Sequence, residues 1–264
     1  MEFNHSSMEL HSKRGTLRAA ILDVDGVLLA SPHERAWREA LPSNQQDRFT
    51  TAMYQAHVAG KPRLDGARAA LEALDVPDAE RQAGAYAERK QKRLEMLIHA
   101  GHVAAFPDAL RLVQAMQALG WPMAVASSSK NANSMLQAIR LDSGQTLHDV
   151  FSGNVCGHDL RQGKPNPEIF LLAAAELRVP PEHCFVAEDA TAGIEAACAG
   201  GMAALGVARL GDTVPLRAAG AALVVTTLDE IDIDALADGR LSLRAFSAKV
   251  RPGFVPENGP VLRS

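Results

Sequence analysis

The chain has little of what marks a secreted, membrane-bound or nucleic-acid-binding protein. Its 264 residues include three cysteines, Cys156, Cys184 and Cys198, far apart and odd in number. They form neither a disulfide framework nor a zinc-ligand spacing, so single buried thiols in a reducing cytoplasm are expected. No wholly apolar run is long enough to predict a transmembrane helix. The opening MEFNHSSMELHSKRG is polar and lacks the apolar segment of a secretory signal. A net charge of -4 gives no basic surface for nucleic acid or an anionic membrane. Internal repeats are absent from the sequence. A monomer in the cytoplasm is therefore expected, with neither nucleic acid nor membrane as partner.

What is present is a core-forming composition. Apolar residues make up 47% of the chain, and the length suits a core domain with a smaller insert. The stretch AAILDVDGVLLA predicts a first strand over 19–24. From 32 to about 101 the pattern is helical, with helices expected over 33–41, 47–58, 66–74 and 78–100. Short apolar strands and helices then alternate: helix 109–119, strand 122–126, helix 130–139, strand 150–155, helix 167–177, strand 184–187, helix 192–199, and strands 203–207 and 223–225. That alternation predicts a parallel sheet covered on both faces. The helical block interrupts it after the first strand and reads as an inserted domain. The expected division is an α/β core over 16–31 and 104–239, a helical cap over 32–103, and a loosely ordered tail over 240–264.

Ligands of an open parallel sheet bind beyond the carboxyl ends of its strands. Polar residues fall at four such places. Asp23 and Asp25 follow the first strand, and Ser127, Ser128 and Ser129 follow WPMAVA. Lys164 lies in the loop RQGKPNPE, and Glu188 and Asp189 follow CFVA. Burying one charge is costly unless it is paired or binds a metal. Four carboxylates in one cleft repel, and oxygen ligands select a hard divalent ion such as Mg²⁺. Such a site with a lysine suits a phosphate group, and a free carboxylate there can attack phosphorus. If the strand persists through Asp23 and Asp25, their side chains point the same way. One would then attack while the other handles a proton. Gly26 lets the backbone turn close to a ligand. Ser129-Lys130-Asn131 opens a helix, whose N-terminus favours anions.

Each piece alone has a plainer reading. Asp-Gly is a common turn pair, a serine run caps helices, and a single lysine is most often solvated. The conjunction of all four groups, each after an apolar strand, favours the catalytic reading.

These residues resemble the haloacid dehalogenase superfamily. DVDGV matches its first motif, Ser127 the second, Lys164 in GKPNPEIF the third, and EDATAGIEAACAGGM the fourth. The resemblance implies a Rossmann-like, doubly wound α/β core. It also implies Asp23 as the nucleophile that forms an aspartyl-phosphate and Asp25 as general acid/base, lending its carbonyl to Mg²⁺. Ser127 and Lys164 would hold the phosphoryl group, with Glu188 and Asp189 completing the metal site. The superfamily's dehalogenase branch lacks the second aspartate, so Asp25 points to phosphoryl transfer.

The insert resembles the small helical cap of the β-phosphoglucomutase-like subgroup. The resemblance places His33 and Trp37, in HERAW, near the hinge, and brings Arg63 to a cap arginine that grips a second phosphate. Lys90, in ERKQK, matches a cap lysine that reaches the substrate. Ser128, Lys130 and Asn131 would line the core side of the same site. The loop from Gly26 to His33 is about two residues shorter than the usual pattern. Residues 41–59, which should shape substrate choice, match weakly. The implied activity is Mg²⁺-dependent phosphoryl transfer on a small-molecule hexose phosphate, as a mutase. A sugar-phosphate phosphatase shares the first half-reaction. A phosphorylated receiver-like signalling module is a third reading, which the helical insert disfavours.

Overall fold

The apolar run at Ala19 forms the central strand β1 (Ala19–Leu22) of the computed structural model, which describes residues 15–59 and 61–245. After β1 come β2 (Leu29–Ala30) and five helices: α1 (His33–Glu39), α2 (Ser43–Gln46), α3 (Thr51–His57), α4 (Arg63–Ala73) and α5 (Ala79–His99). The chain returns through β3 (Ala104–Ala105), α6 (Pro107–Ala118), β4 (Met123–Val125), α7 (Ala132–Ala138), β5 (Gly153–Asn154) and α8 (Glu168–Leu177). It then continues through β6 (Cys184–Glu188), α9 (Thr191–Ala199), β7 (Ala203–Val207), α10 (Val214–Ala218), β8 (Leu223–Val225) and α11 (Ile233–Ala237).

Six strands form one parallel sheet in the order β5-β4-β1-β6-β7-β8. Counting only those strands, this is the doubly wound order, whose switch point lies between β1 and β6. All four residues of β1 are buried. Ala20 and Leu22 pack on one face with Leu112, Val113, Met116 and Met135, while Ala19 and Ile21 pack on the other with Ile169, Phe170 and Ala173. Burial on both faces is why the strand reads as a continuous apolar run.

The remaining two strands pair with each other. β2 and β3 run antiparallel, Leu29 opposite Ala105 and Ala30 opposite Ala104. The two connections between the sheet and the helical block α1–α5 thus form one ribbon. Within that block Trp37, Phe49, Leu71, Leu74 and Tyr86 make a separate core. The Tyr86 hydroxyl donates to the Trp37 carbonyl at 2.8 Å, which satisfies the one polar atom of that buried ring.

Four details differ from expectation. β1 stops at Leu22 and does not run on through Asp25. The Val24 carbonyl accepts from the Leu28 and Leu29 amides at 3.0 and 2.8 Å, so the chain turns out of the sheet there. The helix expected over 47–58 is shorter: α3 begins at Thr51, because Thr50 caps it by accepting from the Met53 amide at 3.2 Å, and the separate α2 ends before residue 47. Cys156 and Cys184 are buried but Cys198 is exposed, its thiol on the Gly220 carbonyl at 3.3 Å. The tail is held as far as Arg244: Asp232 N donates to Ser242 O and Arg244 N to Glu230 O, at 3.0 and 2.7 Å. The rest of the tail, 246–264, lies outside the described residues.

Candidate active site

The switch point brings four chain segments to one cleft. Asp23 leaves β1 with its amide donating to Ala187 O of β6 at 3.0 Å. Ser127 follows β4 and is buried, its hydroxyl accepting from the Ser129 amide at 3.2 Å. Glu188 ends β6 at 1% exposure. Lys164 enters from the loop before α8, where Glu168 Oε2 accepts the Arg161 and Gln162 amides at 3.1 and 3.3 Å and so shapes the loop.

Lys164 Nζ donates to Asp23 Oδ1 at 2.6 Å and to Glu188 Oε1 at 2.5 Å. Burial alone would lower the lysine's pKa, but Asp23 and Glu188 outweigh it and hold the group above its usual range. Burial pushes Asp23 up to about 7 against the pull of Lys164, with Glu188 and Asp25 adding to the rise. Asp189 is driven well up by burial and then by the neighbouring Glu188 and Asp23. One ammonium does not offset this many carboxylates.

Glycines make the crowding possible. A Cβ on Gly26, which has φ +78°, would lie 1.9 Å from Asp189 Oδ2. A Cβ on Gly193 would lie 2.0 Å from the Glu188 carboxyl carbon. Both glycines of DVDG and EDATAG are therefore room for carboxylates.

Asp25 lies beyond the end of β1, in the turn. Its Oδ1 is buried without a hydrogen-bond partner, and its Oδ2 lies 3.8 Å from His33 Nε2. His33 Nδ1 lies 3.1 Å from Lys90 Nζ, and Nε2 lies 3.4 Å from Ser129 Oγ. A line of side chains thus joins α5 of the helical block to the second aspartate. Burial pushes His33 down to about 4, so the ring is neutral at ordinary pH. An ammonium can only donate, so Nδ1 accepts from Lys90 and the ring proton sits on Nε2, toward Asp25. Burial also lowers Lys90, to about 8.

Lys90 is 3% exposed although it lies in a charge-rich helix. Ala83, Tyr86, Ala87, Lys90, Leu94 and Leu97 are the buried residues of α5, at helical spacing, so Lys90 occupies its apolar stripe. Its ammonium stands 4.9 Å from the centre of the Trp37 ring. Trp37 itself is buried against Tyr86, ring centres 5.2 Å apart, and supports Lys90 from behind.

The other expected substrate residues are less gathered. Ser128 is exposed, and Arg63 is exposed at the start of α4. Lys130 is paired with Asp159 at 2.9 Å on the open surface. Asn131 is held across the cleft: Gln91 Nε2 donates to Asn131 Oδ1 at 2.9 Å and Asn131 Nδ2 returns to Gln91 Oε1 at 3.3 Å. Gln91 is not among the residues the sequence singled out, although it adjoins Lys90. Tyr54 of α3 is also missed. Burial raises its phenol, and the negative charges of Asp25, Asp189 and Glu34 add to the rise. The signal available was its rarity, since the chain has two tyrosines.

The donor chemistry fits a hard divalent cation: crowded carboxylates, one counter-charge, and an orphaned buried Asp25 oxygen. Among the described residues no group of three or more His, Cys, Asp and Glu side chains is gathered to hold a metal as it stands. Lys164 instead draws Asp23 and Glu188 together. Glu188 has both oxygens engaged, Oε1 by Lys164 and Oε2 by the Ala190 amide at 2.8 Å.

The haloacid dehalogenase-like hydrolase family matches residues 17–201. A β-phosphoglucomutase of Mycobacterium tuberculosis is 33% identical over 241 residues, covering 81% of this chain and 91% of that protein. The fructose-1-phosphate phosphatase of Escherichia coli is 32% identical over 189 residues, covering 71% and 94%. The solved archaeal β-phosphoglucomutase from Pyrococcus superposes with a TM-score of 0.64 at 28% identity, covering 84% of this chain and 97% of that one. With its doubly wound sheet, helical cap and carboxylate cleft, the chain belongs to the haloacid dehalogenase-like hydrolases, in their β-phosphoglucomutase-like subgroup, and is an enzyme of the mutase or phosphatase kind.

Proposed function

We propose that the enzyme is a Mg²⁺-dependent hexose-phosphate mutase of the β-phosphoglucomutase type, working through an aspartyl-phosphate on Asp23. An Asp23 carboxylate oxygen attacks phosphorus, and the phosphorus–oxygen bond to the sugar breaks. The departing sugar oxygen takes a proton from Asp25. In the second half a hydroxyl of a sugar phosphate gives its proton to Asp25 and attacks the same phosphorus, and Asp23 leaves as a carboxylate. Ser127 and Lys164 hold the phosphoryl oxygens between the two halves. Asp23, Asp189 and the Asp25 carbonyl would hold Mg²⁺, which when bound draws negative charge from the phosphoryl oxygens. Glu188 acts through Lys164.

The observation that carries the mutase reading is the Lys90–His33–Asp25 line. It ties the proton-handling carboxylate to the cap, so its charge state answers to what the cap encloses. A closed cap also excludes water from the aspartyl-phosphate. Arg63, Ser128, Lys130 and Asn131 would then take the non-reacting phosphate.

One observation favours the phosphatase. Lys130 is 69% exposed and already paired with Asp159, which leaves the distal site short of a cation. Phosphorus NMR with Mg²⁺, β-glucose 1-phosphate and a trace of glucose 1,6-bisphosphate decides. Glucose 6-phosphate with little free phosphate supports the mutase. Accumulating inorganic phosphate overturns it in favour of hydrolysis, and no reaction overturns glucose phosphates as substrates.

A further inference from the structure

Arg209, just past the end of β7, takes no part in the chemistry proposed above, yet each of its three guanidinium nitrogens donates a hydrogen bond. Nε donates to Gly26 O at 3.1 Å, Nη2 to Val27 O at 2.7 Å, and Nη1 to Asp108 Oδ2 at 2.5 Å. The guanidinium carbon lies 3.8 Å from the centre of the Phe106 ring. Asp108 is itself fixed, because Oδ2 also accepts from Thr227 Oγ1 at 2.7 Å and from the Leu228 amide at 2.8 Å. The Arg209 and Asp108 side chains are 17% and 7% exposed.

The partners of this one side chain lie on both halves of the hinge. Gly26 and Val27 belong to the turn that carries Asp25 and leads into β2. Phe106 and Asp108 sit just after β3, and the Phe106 amide donates to Leu28 O at 2.9 Å. The fork therefore grips the outgoing and the returning strand at their roots.

We infer that Arg209 is a positioning residue: it locks the Asp25 turn and the root of the β2–β3 ribbon to the sheet, so that the cap pivots about a fixed point and Asp25 stays aligned with Asp23. A planar guanidinium is needed, because a lysine ammonium cannot meet two carbonyls and a carboxylate in one plane while stacking on a ring. The alignment half of this inference rests on Asp25 serving phosphoryl transfer. The clamp half does not.

The test uses the full chain as wild type, R209A and R209K, with Mg²⁺. Hydrogen exchange is followed at 26–29 and 104–106, with 184–188 in β6 as internal reference. Turnover of p-nitrophenyl phosphate is followed in parallel, with and without low-millimolar guanidinium. In R209A exchange at the hinge is expected to rise about tenfold or more while β6 holds. Its kcat is expected to fall about 10²-fold, with a much smaller change in KM. R209K should move the same way to a smaller extent. Guanidinium should restore part of the kcat of R209A and none of that of R209K, whose own stem fills the space. A merely structural staple would lower the melting temperature but leave kcat per folded molecule and hinge exchange unchanged, and that result overturns the inference. Faster exchange with unchanged kcat overturns the positioning of Asp25. If R209A does not fold, wild-type exchange and kcat in R209K overturn the need for the fork. A wild type inactive on every phosphate monoester would sink the proposed function instead, and the exchange data would still decide the clamp.

Discussion

Lys164 Nζ stands 2.6 Å from Asp23 Oδ1, with 6% and 7% of the two side chains exposed. The ammonium is shared with Glu188, so one cation holds two buried carboxylates. Removing it leaves both uncompensated. K164M is expected to lose about 3–5 kcal/mol of stability in EDTA. Its turnover should fall below about one-thousandth of wild type. Urea unfolding and steady-state kinetics check both. An unchanged unfolding midpoint would show that the pair contributes nothing to the fold.

His33 provides a pH signature. Its folded pKa is depressed from 6.5 to about 4, so the unfolded chain binds its proton first as pH falls. Stability from the neutral ring is complete above about 6.5 and is lost as pH drops toward 4, by at most about 1.4 kcal/mol per unit. H33Q should flatten that acid slope. Nitrogen NMR of wild type at pH 6 should show one neutral His ring with its proton on Nε2. A protonated His33 at that pH would refute the tautomer argument and the Lys90 contact behind it.

Mg²⁺ should raise the melting temperature of the wild type, since an ion that binds only the folded state stabilises it, by about 2.7 kcal/mol at a hundred times Kd. G26A should abolish that gain, because its Cβ would fall on Asp189 Oδ2 at 1.9 Å. D189N should do the same without the backbone strain. Thermal scans with and without the ion need no substrate. Equal Mg²⁺ gains in all three proteins would remove Asp189 from the metal site.

Arg63 separates mutase from simple hydrolysis. R63A should cut mutase flux by about 10- to 100-fold, the loss of one charge-assisted hydrogen bond to phosphate. Hydrolysis of p-nitrophenyl phosphate, which has no second phosphate, should change little. Equal losses in both assays would mean that Arg63 does not read the distal group.

The sequence exposes the sheet and the residues at its carboxyl edge because both are local: an apolar run, then a polar residue. Asp23, Ser127, Lys164 and Glu188 fall at the places that rule names. The end of β1 at Leu22 and the tight turn on Val24 O are invisible to a period of two, so the strand expected to run through Asp25 does not form. The burial of Lys90 was readable from Tyr86, Leu94 and Leu97 on the same helical stripe, but the run of charges around it masked the stripe. Nothing local announces Arg209, whose carbonyl partners lie 183 and 182 residues upstream. The Gln91–Asn131 amide pair is equally non-local, 40 residues apart. β2 and β3 are two residues each, too short to show any periodicity.

The β2–β3 ribbon has a consequence for the descent of such enzymes. Because Ala30 and Ala104 are paired, the helical block enters and leaves through neighbouring strands, about 5 Å apart. A segment with adjoining ends can be lengthened, exchanged or trimmed without pulling on what it interrupts. Substrate preference can therefore diverge in one cassette while the chemistry at the strand ends is inherited intact. Exchanging residues 31–103 for the corresponding block of the fructose-1-phosphate phosphatase relative should move sugar selectivity with it and leave turnover of p-nitrophenyl phosphate in place. Selectivity that stayed with the sheet would show the cassette to be a cover without a reading role.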